Sequence, residues 1–129
     1  MILVQAAGCS DIGKVRKANE DCFLLNEPVG LYVVADGMGG HASGEVASKM
    51  AIDTLQEFFA ATADDPERTW PYKMDRSKGY EENRLITGVK LCNLRIFEQA
   101  RANPRQRGMG TTLVVLFAVE DGVYVGHVG

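Results

Sequence analysis

Long apolar runs are missing from this sequence. No segment of the 129 residues is apolar over the length a bilayer span needs, and the opening Met1-Ile2-Leu3-Val4 is too short, and lacks the basic flank, for a secretory leader. Strong charge is missing too. A net charge of −3 is too small to point to nucleic acid or another polyanion, and the basic residues are scattered, with Arg105 and Arg107 the nearest approach to a cluster. Cysteine is scarce: Cys9, Cys22 and Cys92 are an odd number, lie far apart and form no CxxC pair. They read as buried, reduced thiols of a cytoplasmic protein. There is no internal repeat and no low-complexity tract. What is left is a globular composition, 46% apolar and 24% charged, at a length that suits one modest domain.

Residues 31–45 organise the rest. An apolar run, Leu31-Tyr32-Val33-Val34-Ala35, ends in Asp36, and glycines at 37, 39 and 40 lead into a helical pattern. A run with no polar face predicts a strand in the middle of a sheet, covered on both sides. Ahead of it, residues 2–9 read as a first strand, 10–20 as a polar loop and 21–26 as a second strand. The turn Glu27-Pro28-Val29-Gly30 then makes an antiparallel pair of 21–26 and 31–35, which brings Asp21 and Asp36 to one sheet edge. Apolar residues at 46/47, 50/51, 55 and 58/59 predict a helix with Ser43 as its N-cap and Glu45 in its first turn, fading near Asp64-Asp65-Pro66. Residues 64–79 read as a long loop or lid. Leu85, Val89, Cys92, Ile96 and Ala100 form the stripe of a second helix that starts near Ser77 or Lys78 and stops before Pro104. Residues 105–110 read as a turn, 111–119 as a buried strand, Glu120-Asp121-Gly122 as a hairpin and 123–128 as the returning strand. Strands, two helices, then strands, without regular alternation, give an α+β fold of antiparallel sheets with helices packed on a face. Because the chain stops at Gly129 inside what reads as a buried strand, a longer parent chain is expected.

The chemistry-bearing residues gather at that edge. Asn19-Glu20-Asp21 enters one strand and Asp36-Gly37 leaves its partner. Taken singly, the first is a solvated turn with an Asx cap and the second a common Asp-Gly turn. Taken together, three acids at one edge repel each other and call for a hard divalent cation, with the Gly37 carbonyl as one more oxygen ligand. Arg16 reads either as a solvated arginine or as a planar fork for phosphate oxygens. His41 has three readings: a general acid, a metal ligand, or a polar residue near a helix start. The run Gly37-Met38-Gly39-Gly40-His41-Ala42 also fits the GxGxxA dinucleotide pattern. Against that, Glu57 falls inside a helix, no second parallel strand follows, and Asp36 would repel a pyrophosphate.

Three motifs occur in order: Gly13-Lys14-Val15-Arg16-Lys17-Ala18-Asn19-Glu20-Asp21, then Val34-Ala35-Asp36-Gly37-Met38-Gly39-Gly40-His41, then Gly108-Met109-Gly110-Thr111-Thr112-Leu113. Together they resemble the bacterial branch of the metal-dependent, type 2C serine/threonine protein phosphatases, over most of the chain. The resemblance implies a four-layer α/β/β/α sandwich of two antiparallel sheets flanked by helices, about half of it in this chain. It implies that residues 1–129 are the N-terminal part of a single phosphatase domain. It also implies a centre of two or more Mn²⁺ or Mg²⁺ ions between the sheets. Asp36 then resembles the bridging carboxylate, Gly37 the residue lending its carbonyl, Glu20 and Asp21 the acids that hold metal-bound water, and Arg16 the phosphate-binding arginine. The implied reaction is direct attack of metal-activated water on phosphoserine or phosphothreonine.

The implied partners are phosphorylated proteins, targets of a serine/threonine kinase, met by a cytoplasmic monomer without nucleic acid or membrane. Met38 departs from the animal pattern, which has a histidine there as proposed general acid; that role is absent or passes to a group such as His41. The family's Gly-Asp-Ser-Arg segment and its later metal-binding aspartates are not in this chain, so the 129-residue piece alone is expected to have little or no activity. The alternatives are a non-catalytic regulatory or sensor module of the same fold and, more remotely, nucleotide binding through residues 37–42.

Overall fold

The computed structural model describes residues 5–14, 19–41, 43–64 and 70–129. Two short apolar runs and the tight turn between them start the sheet. β1 (Asp21–Asn26) and β2 (Leu31–Met38) pair antiparallel, with Phe23 opposite Val34 and Asn26 opposite Leu31. Gly30 closes the turn at φ 78, a left-handed conformation that glycine adopts without penalty, and a Cβ there would press on the Ala118 carbonyl. β2 also pairs with β4 (Leu113–Val119), which turns at Glu120 and Asp121 into β5 (Gly122–Val128). The sheet order is β1-β2-β4-β5, antiparallel throughout, and the two-residue β3 (Gly110–Thr111) pairs with the far end of β2.

Two long helices, α1 (Ser43–Asp64) and α2 (Tyr80–Ala102), lie together on one face of this sheet. Alternation along the strands decides which side chains meet them. Leu31, Val33 and Ala35 of β2 and Leu113, Val115 and Phe117 of β4 point to the helices, where Ala51, Leu55 and Phe59 of α1 and Leu85 and Cys92 of α2 close the core. Phe59 is fully buried and stands edge-on to Phe117, with centroids 4.9 Å apart and planes at 84°. Burying such a ring contributes about 2–3 kcal/mol. Arg84 of α2 is buried as well. Its guanidinium donates to Phe59 O (2.8 Å) and Thr62 Oγ1 (2.9 Å) near the end of α1 and lies over the rings of Phe59 and Phe117.

Several expectations change. β2 is central, but only one of its faces is covered: Val34 is 58% exposed, and Phe23, Leu25, Val114 and Val125 share that open face. Both helices pack on the opposite side, so the described residues supply one helical and one sheet layer. Of the strand expected at 2–9, residues 2–4 lie outside the described residues, and 5–9 are irregular and without a strand partner. Ser43 does not cap α1 from outside. It is the first helical residue, and its Oγ donates to Arg105 O at 3.0 Å. Residues 105–110 hold the end of a 3-10 turn at Pro104–Gln106 and the start of β3, and the strand expected at 111–119 is broken at Thr112. Of the cysteines only Cys92 is buried; Cys9 is exposed and Cys22 lies between, and all three are free. Among the described residues no helix is long and apolar enough to cross a membrane.

Candidate metal centre

The site edge is where β1 begins and β2 ends. Asp21 stands directly opposite Asp36 in the β1–β2 register, and one step further the Gly37 N–H donates to Glu20 O at 3.0 Å. The loop that delivers Glu20 is fixed by its neighbour: Asn19 Oδ1 accepts from the Asp21 N–H (3.1 Å), and Asn19 Nδ2 donates to Ser10 Oγ (2.7 Å). This is the Asx cap read from the sequence.

The other side of the edge is held by the third motif. Gly37 pairs with Thr111 and Met38 with Gly110, so the glycine turn after β2 and the one before β4 lie side by side. Thr112 breaks the strand in order to grip Asp36. Its N–H donates to Asp36 O at 2.8 Å, and its Oγ lies 3.3 Å from the same oxygen. The Asp36 backbone is therefore fixed from both flanks. His41 follows at φ 55, a strained conformation for a residue with a side chain, and is exposed. Arg16 and Ala42 lie outside the described residues.

The acids share an edge but not a face. Asp21 and Asp36 occupy the open face, while Glu20, one residue earlier, turns to the helix side, where Oε2 lies against Gly44 of α1. Among the described residues no group of three His, Cys, Asp or Glu is placed to hold a metal ion. The three carboxylates expected at one sheet edge lie there as a facing pair on the open face with a third acid behind it.

The donor set nonetheless fits a hard divalent cation. It is all oxygen: the carboxylates of Asp21, Asp36 and Glu20 and the carbonyl of Gly37. Glu20 Oε2 is buried and has no hydrogen-bond partner among the described residues. A buried carboxylate oxygen left uncompensated is costly, and a nearby cation would offset that cost. The dinucleotide reading of residues 37–42 fails on topology: among the described residues α1 is followed by α2 and every strand pairing is antiparallel, with no βαβ crossover to form the cofactor crevice.

Two residues that frame the site were not singled out from sequence. Thr112 was visible only as part of a motif, and its grip on Asp36 depends on a pairing between segments far apart in the chain. Gly44 had a local signal, a poor helix former in the first turn of a strong helix.

A helix-backed antiparallel sheet carrying a facing acid pair and a glycine turn at one edge defines an α+β protein whose sheet edge gathers oxygen donors. Residues 14–129 match the family described as protein phosphatase 2C, and the chain belongs to that family. It is 34% identical over 128 residues to the serine/threonine protein phosphatase PstP of Mycobacterium tuberculosis, covering 99% of this chain and 22% of that protein. To the serine/threonine phosphatase stp of Listeria innocua it is 32% identical over 127 residues, 93% of this chain and 45% of the relative. The crystal structure of M. tuberculosis PstP/Ppp superposes with a TM-score of 0.73 at 35% identity, covering 94% of this chain and 45% of that one. A structure of the PstP catalytic domain in complex with two manganese ions gives a TM-score of 0.73 at 33% identity, covering 94% of this chain and 46% of the other. The chain thus spans less than half the length of these relatives.

Proposed function

We propose that residues 1–129 are the N-terminal part of a type 2C phosphatase domain whose intact protein hydrolyses phosphoserine and phosphothreonine in proteins. The observation that carries this reading is the edge where Asp21 faces Asp36 and Gly37 is bonded to Glu20, the four positions expected to hold the cations. Family membership and the manganese-bound relative support it.

When bound, a pair of Mn²⁺ or Mg²⁺ ions supplies a water acidic enough to attack phosphorus and positive charge for the leaving oxygen. This chain's residues do the holding. Asp36, fixed by Thr112 and β1, presents its carboxylate on the open face, where Asp21 meets it. Gly37 offers a carbonyl beside it, and Glu20 backs the site from the helix side. Arg16 grips two phosphate oxygens. His41, exposed after the glycine turn, is the general-acid candidate.

The open apolar face with Phe23, Val34, Val114 and Val125 supports the view that a second sheet packs there in the intact domain, completing four layers. With those layers and the downstream ligands absent, the 129-residue chain alone has little or no activity. The substrates are targets of a serine/threonine kinase, met in the cytoplasm by a monomeric domain. The test is hydrolysis of phosphoserine and phosphothreonine peptides by the intact protein with Mn²⁺ and with a chelator. Turnover that survives complete chelation would contradict the reading.

A further inference from the structure

Most turn glycines of this chain are needed for their backbone conformation, as the positive φ of Gly13, Gly30 and Gly108 shows. Gly37 and Gly44 are different. Neither has a positive φ, so their requirement is for space. A Cβ on Gly44 would fall on Glu20 Oε2, 2.7 Å from Glu20 Cδ and 2.8 Å from the carbonyl carbon of Gly37. The relation is mutual: a Cβ on Gly37 would fall on Gly44 O and 2.9 Å from Glu20 O. Real Cβ atoms do not approach that closely, so something must move if either glycine gains a side chain.

The helix is not free to be that something. Ser43 is 2% exposed, and its N–H donates to Gly40 O at 3.0 Å while its Oγ donates to Arg105 O at 3.0 Å. One turn on, Ser48 is fully buried with its Oγ 3.5 Å from Cys22 Sγ of β1, and Ala47 and Ala51 are fully buried as well. Small side chains on this stretch of α1 set a close helix-to-sheet approach, fixed on both sides of residue 44. The movable group is the end of the Glu20 side chain, whose Oε2 is buried without a hydrogen-bond partner among the described residues.

We infer that Gly44 is a positioning residue of the cation site: the missing side chain at the start of α1 is the seat that holds the Glu20 carboxylate against the Gly37 backbone. This rests on the assignment of Glu20 to the cation site made above. A methyl group at 44 displaces Glu20 Oε2 and pushes on the Gly37 carbonyl without removing any cation ligand.

The test is Mn²⁺ binding to the intact protein by titration calorimetry, with circular dichroism to check the fold, for wild type, Gly44→Ala, Glu20→Ala and the double variant. Gly44→Ala is expected to weaken Mn²⁺ binding by about tenfold or more, the usual effect of losing a residue that orients a metal ligand. In the Glu20→Ala background the same substitution should cost clearly less than in wild type, because only the push on the Gly37 carbonyl remains. An undiminished cost in that background, or unchanged Mn²⁺ affinity in Gly44→Ala, overturns the inference. If Glu20→Ala leaves Mn²⁺ affinity unchanged, it is the assignment of Glu20 that fails instead. Should Gly44→Ala not fold, Glu20→Asp, which withdraws the carboxylate from the space at residue 44 without adding a methyl there, is expected to weaken Mn²⁺ binding, and an unchanged affinity counts against the inference.

Discussion

Asp21 and Asp36 face each other across the β1–β2 pair, on the side of the sheet that neither α1 nor α2 covers. Like charges directly opposite one another in an antiparallel pair destabilise it. Two consequences separate: the pair weakens the metal-free fold and favours a cation. In the absence of divalent ions, Asp36→Asn should therefore stabilise the intact protein by about 0.5 kcal/mol. Urea denaturation in chelator measures it. A variant less stable than wild type without metal would show that the two carboxylates do not repel.

The oxygen-only donor set predicts which ligands the intact protein recognises. Mn²⁺ should raise its melting temperature, as any ligand bound by the native state alone does, whereas NAD should not. A thermal shift with NAD and none with Mn²⁺ would revive the dinucleotide reading of the glycine turn and remove the cation site.

Arg84 holds the two helices together. It is buried, burial lowers its pKa, and its donors are used on Phe59 O and Thr62 Oγ1 rather than on a carboxylate. Arg84→Ala should cost about 3 kcal/mol, from lost stacking and stranded acceptors at the end of α1. Arg84→Lys should recover only part of it, since an ammonium cannot reproduce the planar fork. Chemical denaturation reads both, and Mn²⁺ affinity at temperatures where the variants are folded should not change.

Cys92 gives a pH signature. Burial pushes its thiol up to about 12 from the ordinary 9.0, while its Sγ donates to Ala51 O at 3.3 Å. Above pH 9 the unfolded chain loses this proton and the folded chain keeps it, so the folded state binds more protons and stability falls as pH rises. The loss from this group approaches about 1.4 kcal/mol per pH unit between roughly 9 and 12. Cys92→Ala should flatten that part of the stability–pH curve, and thiol reagents at pH 8 should modify the exposed Cys9 well before Cys92.

Much of this was legible in the sequence because it is local. The turn at 27–30, the hairpin at 120–121 and the helical stripes all follow from spacing, and the β1–β2 turn sets the Asp21–Asp36 register. Two things were not. The run at 31–35 has no polar residue to mark an open face, so alternation of burial, with Val33 buried and Val34 exposed, was invisible in residue type. The separation of Glu20 from the other two acids comes from strand alternation combined with a space left at Gly44, a contact between elements distant in sequence. Thr112 was hidden for the same reason.

The most direct test of the cation-site account is Mn²⁺-dependent hydrolysis of a phosphothreonine peptide by the intact protein and by Asp36→Asn, with both shown to be folded. The account predicts that the substitution, which keeps size and removes charge, reduces turnover to the metal-free background. Near-normal turnover by Asp36→Asn with Mn²⁺ would contradict it.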